Sequence, residues 1–248
     1  MTGSHTGLDH VLLVLIVLVW PLAEWLFYYP RSVRAINSGV AGGRRRLYGN
    51  ILLPEWGFTA CVIALWAAQG RSWDALRLGA GTPLRLGIGL AIAALFLGLV
   101  WAQRRALLAR PERLELVRRK IEHADALMPH TVDERRTFAA VAITAGLCEE
   151  FLFRGFVMWY FAAWLPGGWA RTIAAVAISS VLFGFGHIYL GAKAVLTTGI
   201  GGVFFALVVL ASGSLWPAMI IHAAVDLNSG DLGYRAAQAA PSDAVVSG

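Results

Sequence analysis

An all-α fold, a polytopic bundle of membrane-spanning helices, is the class this chain predicts, and three observations predict it. Of its 248 residues, 58% are hydrophobic and 15% charged, where an ordinary soluble domain carries roughly a quarter charged. The apolar residues gather in long runs at 11–29, 51–68, 86–102, 138–164, 172–190 and 194–211, with a shorter run at 215–227. Strongly basic connections alternate with weakly basic ones. The first six runs each approach the ~20 residues that a bilayer crossing needs. About seven spans follow, with six and eight as the bounds.

The elements are read in order. The N-terminus has no basic segment, and 11–29 is too long for the apolar part of a signal peptide, so it reads as a retained first span. Arg31, Arg34 and Arg44-Arg45-Arg46 follow it. Only Arg71, Arg77 and Arg85 lie between the second and third spans. Arg104, Arg105, Arg110, Arg113, Arg118, Arg119, Lys120, Arg135 and Arg136 then crowd 103–137. Positive charge marks the cytoplasmic side, which puts both basic connections in the cytoplasm and the N-terminus outside. The net charge of +6 is thereby a topology signal facing the lipid bilayer, and no nucleic-acid partner is expected.

Within 103–137, charges such as Glu112, Glu115, Arg118, Arg119 and Glu122 are spaced for an exposed or surface-lying helix. Met128-Pro129-His130 should end it. Gly184, Gly186, Gly191, Gly199, Gly201 and Gly202 suit close helix packing in the fifth and sixth spans. Ser212-Gly213-Ser214 and Pro217 mark the start of the last helix. Residues 229–248, rich in Ala, Ser and Gly, read as a disordered tail. The organisation is a single membrane domain: N-terminal spans with the basic connection (1–137), a core with the polar motifs (138–228), and the tail (229–248). Cys61 and Cys148 fall in apolar runs and suit packing, with Cys148 a minor candidate nucleophile beside Glu149. His5, His10, His123 and His130 are read as solvated.

Function is sought among polar groups at membrane depth, which are costly there and persist when paired or chemically employed. Glu149, Glu150 and Arg154 lie together in the fourth span, His187 late in the fifth, and His222 and Asp226 four residues apart in the seventh. At ~1.5 Å per residue, Glu149, His187 and Asp226 lie about 16, 8 and 14 Å from the cytoplasmic boundary, compatible with one site. Glu150 and Arg154 are spaced as an intrahelical ion pair. Glu149 points about 100° away without a local partner. A carboxylate beside an imidazole can take a proton from water, and a second His can stabilise an oxyanion. That combination describes peptide-bond hydrolysis without a metal or a serine.

Glu149-Glu150-x-x-x-Arg154, Phe183-x-x-x-His187 and His222-x-x-x-Asp226 resemble the three ordered motifs of the CPBP family of intramembrane glutamic endopeptidases. This family includes CAAX prenyl endopeptidases and bacteriocin-processing or immunity proteins. The resemblance covers roughly residues 138–228. It implies a helical membrane fold with a buried polar cavity, Glu149 and His187 as the pair activating water, and no cofactor. It further implies His222 and Asp226 at the oxyanion site, with Glu150, Arg154 and Phe183 in support. The prenyl-protein proteases typically carry Asn at the last position. An ionised Asp226 would repel an oxyanion, so it would act protonated or by orienting His222. Asn228 sits at a different azimuth and is a poor replacement.

The expected function is an intramembrane endopeptidase acting on a membrane-associated protein or peptide. The alternatives are a zinc-dependent protease using Glu149, His187, His222 and Asp226 as ligands, and a non-catalytic immunity or scaffold protein binding a peptide in the same pocket. A proton-coupled transporter ranks last, for want of an inverted repeat. The Ala-, Gly-, Leu- and Arg-rich composition suggests a GC-rich bacterial source, hence the inner (cytoplasmic) membrane.

Overall fold

The computed structural model describes residues 5–165 and 167–239. Among them are eight helices and a few short helical turns, with no strand. They are α1 (Gly7–Asn37), α2 (Gly43–Ala68), α3 (Pro83–Leu108), α4 (Pro111–Ile121), α5 (132–164), α6 (Trp169–Phe185), α7 (Ala192–Ser212) and α8 (Trp216–Gln238). Four of these, α1, α2, α3 and α7, are long and apolar enough to cross a membrane. Helices α5 and α8 are also long but carry the buried charges, and α6 is a shorter apolar helix. The seven apolar runs thus correspond to seven helices. The protein is an integral membrane helix bundle.

Local sequence explains the helix ends. Thr131 caps α5 by accepting from the Glu134 amide, and Glu134 returns a bond from the Thr131 amide, a reciprocal box that satisfies otherwise orphaned donors. Pro83 and Pro217 sit in first turns, where a missing N–H costs nothing. Helix α4 is the charged helix of the basic connection. Hydrogen bonds from Arg118 and Arg119 hold the exposed Glu115 carboxyl down, to about 2. Beyond α4, a hydrogen bond with His130 is the main reason the Asp125 carboxyl lies below its usual value.

Polar ties gather the helix ends at two levels. At one, Arg71 donates two 2.7 Å bonds to Asp9, and the Leu215 amide meets the Arg77 carbonyl at 2.9 Å. At the other, Tyr48 donates to the Leu127 carbonyl at 2.9 Å, and Arg104 pairs with Asp231 at 2.5 Å. Helix α5 runs through the centre, with residues 150–158 all buried. A Cβ on Gly146 would stand 2.6 Å from the Ala223 amide nitrogen. Only glycine lets α5 and α8 approach this closely, and the approach sets Glu149 and Glu150 opposite His222.

Several expectations need correction. Helix α1 extends to Asn37 and includes two widened π segments, Leu15–Val19 and Glu24–Tyr28, on either side of Pro21. Residues 229–238, expected in a disordered tail, continue α8 with Gly230, Asp231, Leu232, Gly233 and Ala236 buried. Composition misled there because Asp231 binds Arg104, Arg135 and Arg235 and thereby anchors the helix end. Residues 240–248 lie outside the described residues. His5 and His10 are not simply solvated: His5 stacks on Trp164, and His10 hydrogen-bonds the Tyr160 hydroxyl at 2.5 Å. His130 pairs with Asp125 at 3.0 Å.

Candidate active site

The charge cluster of α5 lies at the junction of its regular first part, Val132–Glu149, and the π segment Glu150–Val157. Such widened turns are rare and recur at functional sites. Glu150 and Arg154, 0% and 1% exposed at the side chain, approach to 3.1 Å. The contact is an ion pair rather than an aligned hydrogen bond. Arg154 gains further support from the Phe183 ring, 4.0 Å below its guanidinium carbon, and from Phe205 at 5.4 Å. A cation over aromatic faces is stabilised most where water is excluded. Phe183 is therefore more than filler: its ring meets Arg154 face-on and both site histidines edge-on.

Helix α8 supplies His222, buried and stacked on Phe205 with ring centroids 4.7 Å apart. Its Nδ1 lies 2.9 Å from Oε1 of Glu150. A carboxylate only accepts, so the hydrogen of that bond sits on Nδ1. Nε2 then faces Oε2 of Glu149 at 3.7 Å and Oδ2 of Asp226 at 3.6 Å. Both separations suit ion pairing and exceed a direct hydrogen bond. Asn228 is taken up elsewhere, accepting from Arg104 at 3.1 Å.

His187 sits just beyond Phe185, the last residue of α6, in a turn rather than in the helix. Its Nδ1 donates to the Phe183 carbonyl at 3.0 Å, leaving Nε2 as the acceptor nitrogen. His187, Glu149 and Asp226 line one cavity of about 230 Å³. No direct hydrogen bond joins Glu149 to His187 among the described residues; the two face common space. Cys148 does not line that cavity. It is buried, which suits packing.

Two further carboxyl groups reach the same cavity, Glu24 from α1 and Glu55 from α2. Sequence reasoning passed over both residues because neither belongs to a motif. The signal was present nonetheless: each is a single acid inside an apolar run, a placement that is costly in a membrane. Among the described residues, no three His, Cys, Asp or Glu side chains converge closely enough to hold a metal ion. The arrangement therefore offers acid–base and hydrogen-bonding groups around a small internal space.

These features define a class, an integral membrane helix bundle with an acid–histidine centre buried among α5, α6 and α8. Residues 133–228 match the family described as type II CAAX prenyl endopeptidase Rce1-like. This agrees with the CPBP resemblance carried by the three motifs, all of which lie inside the matched segment. The match supports intramembrane endopeptidase activity in general, with a membrane-associated protein or peptide as the substrate. No significant match was found among curated proteins or solved structures. Helices α1 to α4, and with them Glu24 and Glu55, lie outside the matched segment.

Proposed function

We propose that the protein is a glutamic intramembrane endopeptidase, cleaving a membrane-associated protein or peptide with a water activated by Glu149 and His187 and without a metal. One observation carries the reading. Glu149, with a buried Oε2 that takes no hydrogen bond, shares a cavity with the acceptor nitrogen of His187, while Glu150 and Arg154 are occupied with each other.

A water between Glu149 and His187 gives up a proton to this pair as its oxygen bonds to the scissile carbonyl carbon. The C–N bond then breaks, and the stored proton passes to the leaving nitrogen. Charge accumulates on the carbonyl oxygen in between. His222 answers it through a proton on Nε2, since its Nδ1–H is already given to Glu150 and both nitrogens donate in the charged ring. Asp226, close to Nε2, holds the imidazole rather than meeting the oxyanion as a carboxylate.

The proposed setting is the bacterial inner membrane, with the N-terminus outside and the Arg-rich connections in the cytoplasm. Leu127 and Met128 of the basic connection line the cavity, so access is from the cytoplasmic half. Mass spectrometry of membrane peptides in a strain encoding Glu149→Gln tests the function. Accumulation of one or a few uncleaved precursors is expected; an unchanged peptide inventory at equal protein levels would overturn it.

A further inference from the structure

The first two helices add acid to the cavity that the proposed hydrolysis does not use. Glu24 opens the π segment after Pro21 and is 8% exposed. Among the described residues it has no hydrogen-bond or ion-pair partner, although it lines the cavity. Glu55 follows Pro54, and its Oε2 is buried and takes no hydrogen bond. With Glu149 and Asp226, four carboxyl groups border one small space whose lining contains no Lys or Arg. The nearby guanidinium of Arg154 is committed to Glu150 and to aromatic rings behind it.

Buried carboxylates are expensive unless paired, and packing α1 does not require one. Aliphatic or aromatic residues fill the neighbouring positions, with Trp20, Ile16 and Phe58 lining the same cavity. Glu24 is thus an acceptor with no donor supplied by the described protein. The complementary ligand is a cation on an apolar stem, because the wall beside the acids is aromatic and aliphatic. The absence of a ligating trio among the described residues argues against a bare metal ion here.

We propose that the cavity receives a Lys or Arg side chain of the substrate, with Glu24 as its principal partner and Glu55 beside it, so that cleavage falls next to a basic residue. The proposal rests on the endopeptidase reading for its meaning, but it is tested by binding alone. The full-length protein in lipid nanodiscs is titrated with the peptide Ac-Leu-Ala-Arg-Ala-Leu-amide and with the same peptide carrying citrulline, a neutral isostere, in place of arginine. Wild type should bind the arginine peptide about tenfold or more tightly than the citrulline one, the scale of a charge-assisted hydrogen bond. Glu24→Gln should remove most of that preference while leaving citrulline affinity unchanged. Glu55→Gln should reduce it as an independent variant should Glu24→Gln fold poorly. Equal or absent binding of the two peptides to wild type overturns the proposal, as does a preference that survives both substitutions. Tight zinc binding that excludes the arginine peptide would also overturn it, in favour of a metal. Because no turnover is read, an inactive but arginine-selective protein would refute the endopeptidase reading and leave this one standing.

Discussion

Oε1 of Glu150 lies 2.9 Å from His222 Nδ1 and 3.1 Å from an Arg154 nitrogen. One carboxylate oxygen thus balances the buried guanidinium of α5 and fixes the imidazole of α8. The ring so held faces Glu149 and Asp226 with its other nitrogen. Bundle stability and the geometry of the candidate site are joined at that atom, and they can be separated by mutation.

Glu150→Ala should destabilise the bundle by about 3–5 kcal/mol, because it leaves Arg154 charged, buried and unpaired. Replacing both residues with apolar ones, as in Glu150→Leu with Arg154→Met, should recover most of that stability. Activity should stay lost in the double variant, since His222 has no anchor. Thermal denaturation in detergent together with peptide cleavage checks both arms.

Asp226 is expected to act on His222 and not on the substrate. Asp226→Asn preserves shape and an acceptor oxygen, so cleavage should fall by less than about tenfold. Asp226→Ala removes the restraint and should cost on the order of 10²-fold, the scale of losing one well-placed oxyanion donor. Steady-state rates at equal folded protein distinguish the two.

Metal removal should change nothing. Without three converging ligands among the described residues, activity of the purified protein should survive dialysis against a strong chelator. A loss that added zinc restores would replace the glutamic mechanism with a metal-dependent one.

Much of this site was legible in the sequence because intramembrane charge is so costly. The i, i+4 spacing of Glu150 and Arg154 anticipated a contact that the structure contains. The three motif segments, distant in sequence, meet around His222 and the cavity. Other features depend on tertiary context. The π segment starting at Glu150 and the turn that takes His187 out of α6 leave no clear periodicity to read. Residues 229–238 resembled a tail by composition, and only their partners Arg104 and Arg135 make them a packed helix. Glu24 and Glu55 were available to the same cost argument that singled out Glu149 but lacked a motif to draw notice.

Glu149→Gln tests the central claim most directly. The substitution keeps the size and a hydrogen-bonding oxygen of the side chain while removing its capacity to take a proton. With a precursor identified in the mutant strain and the purified full-length protein in nanodiscs, the account predicts an unchanged melting temperature and a cleavage rate reduced by about 10²–10⁴-fold. A folded Glu149→Gln protein that cleaves at close to the wild-type rate would contradict it.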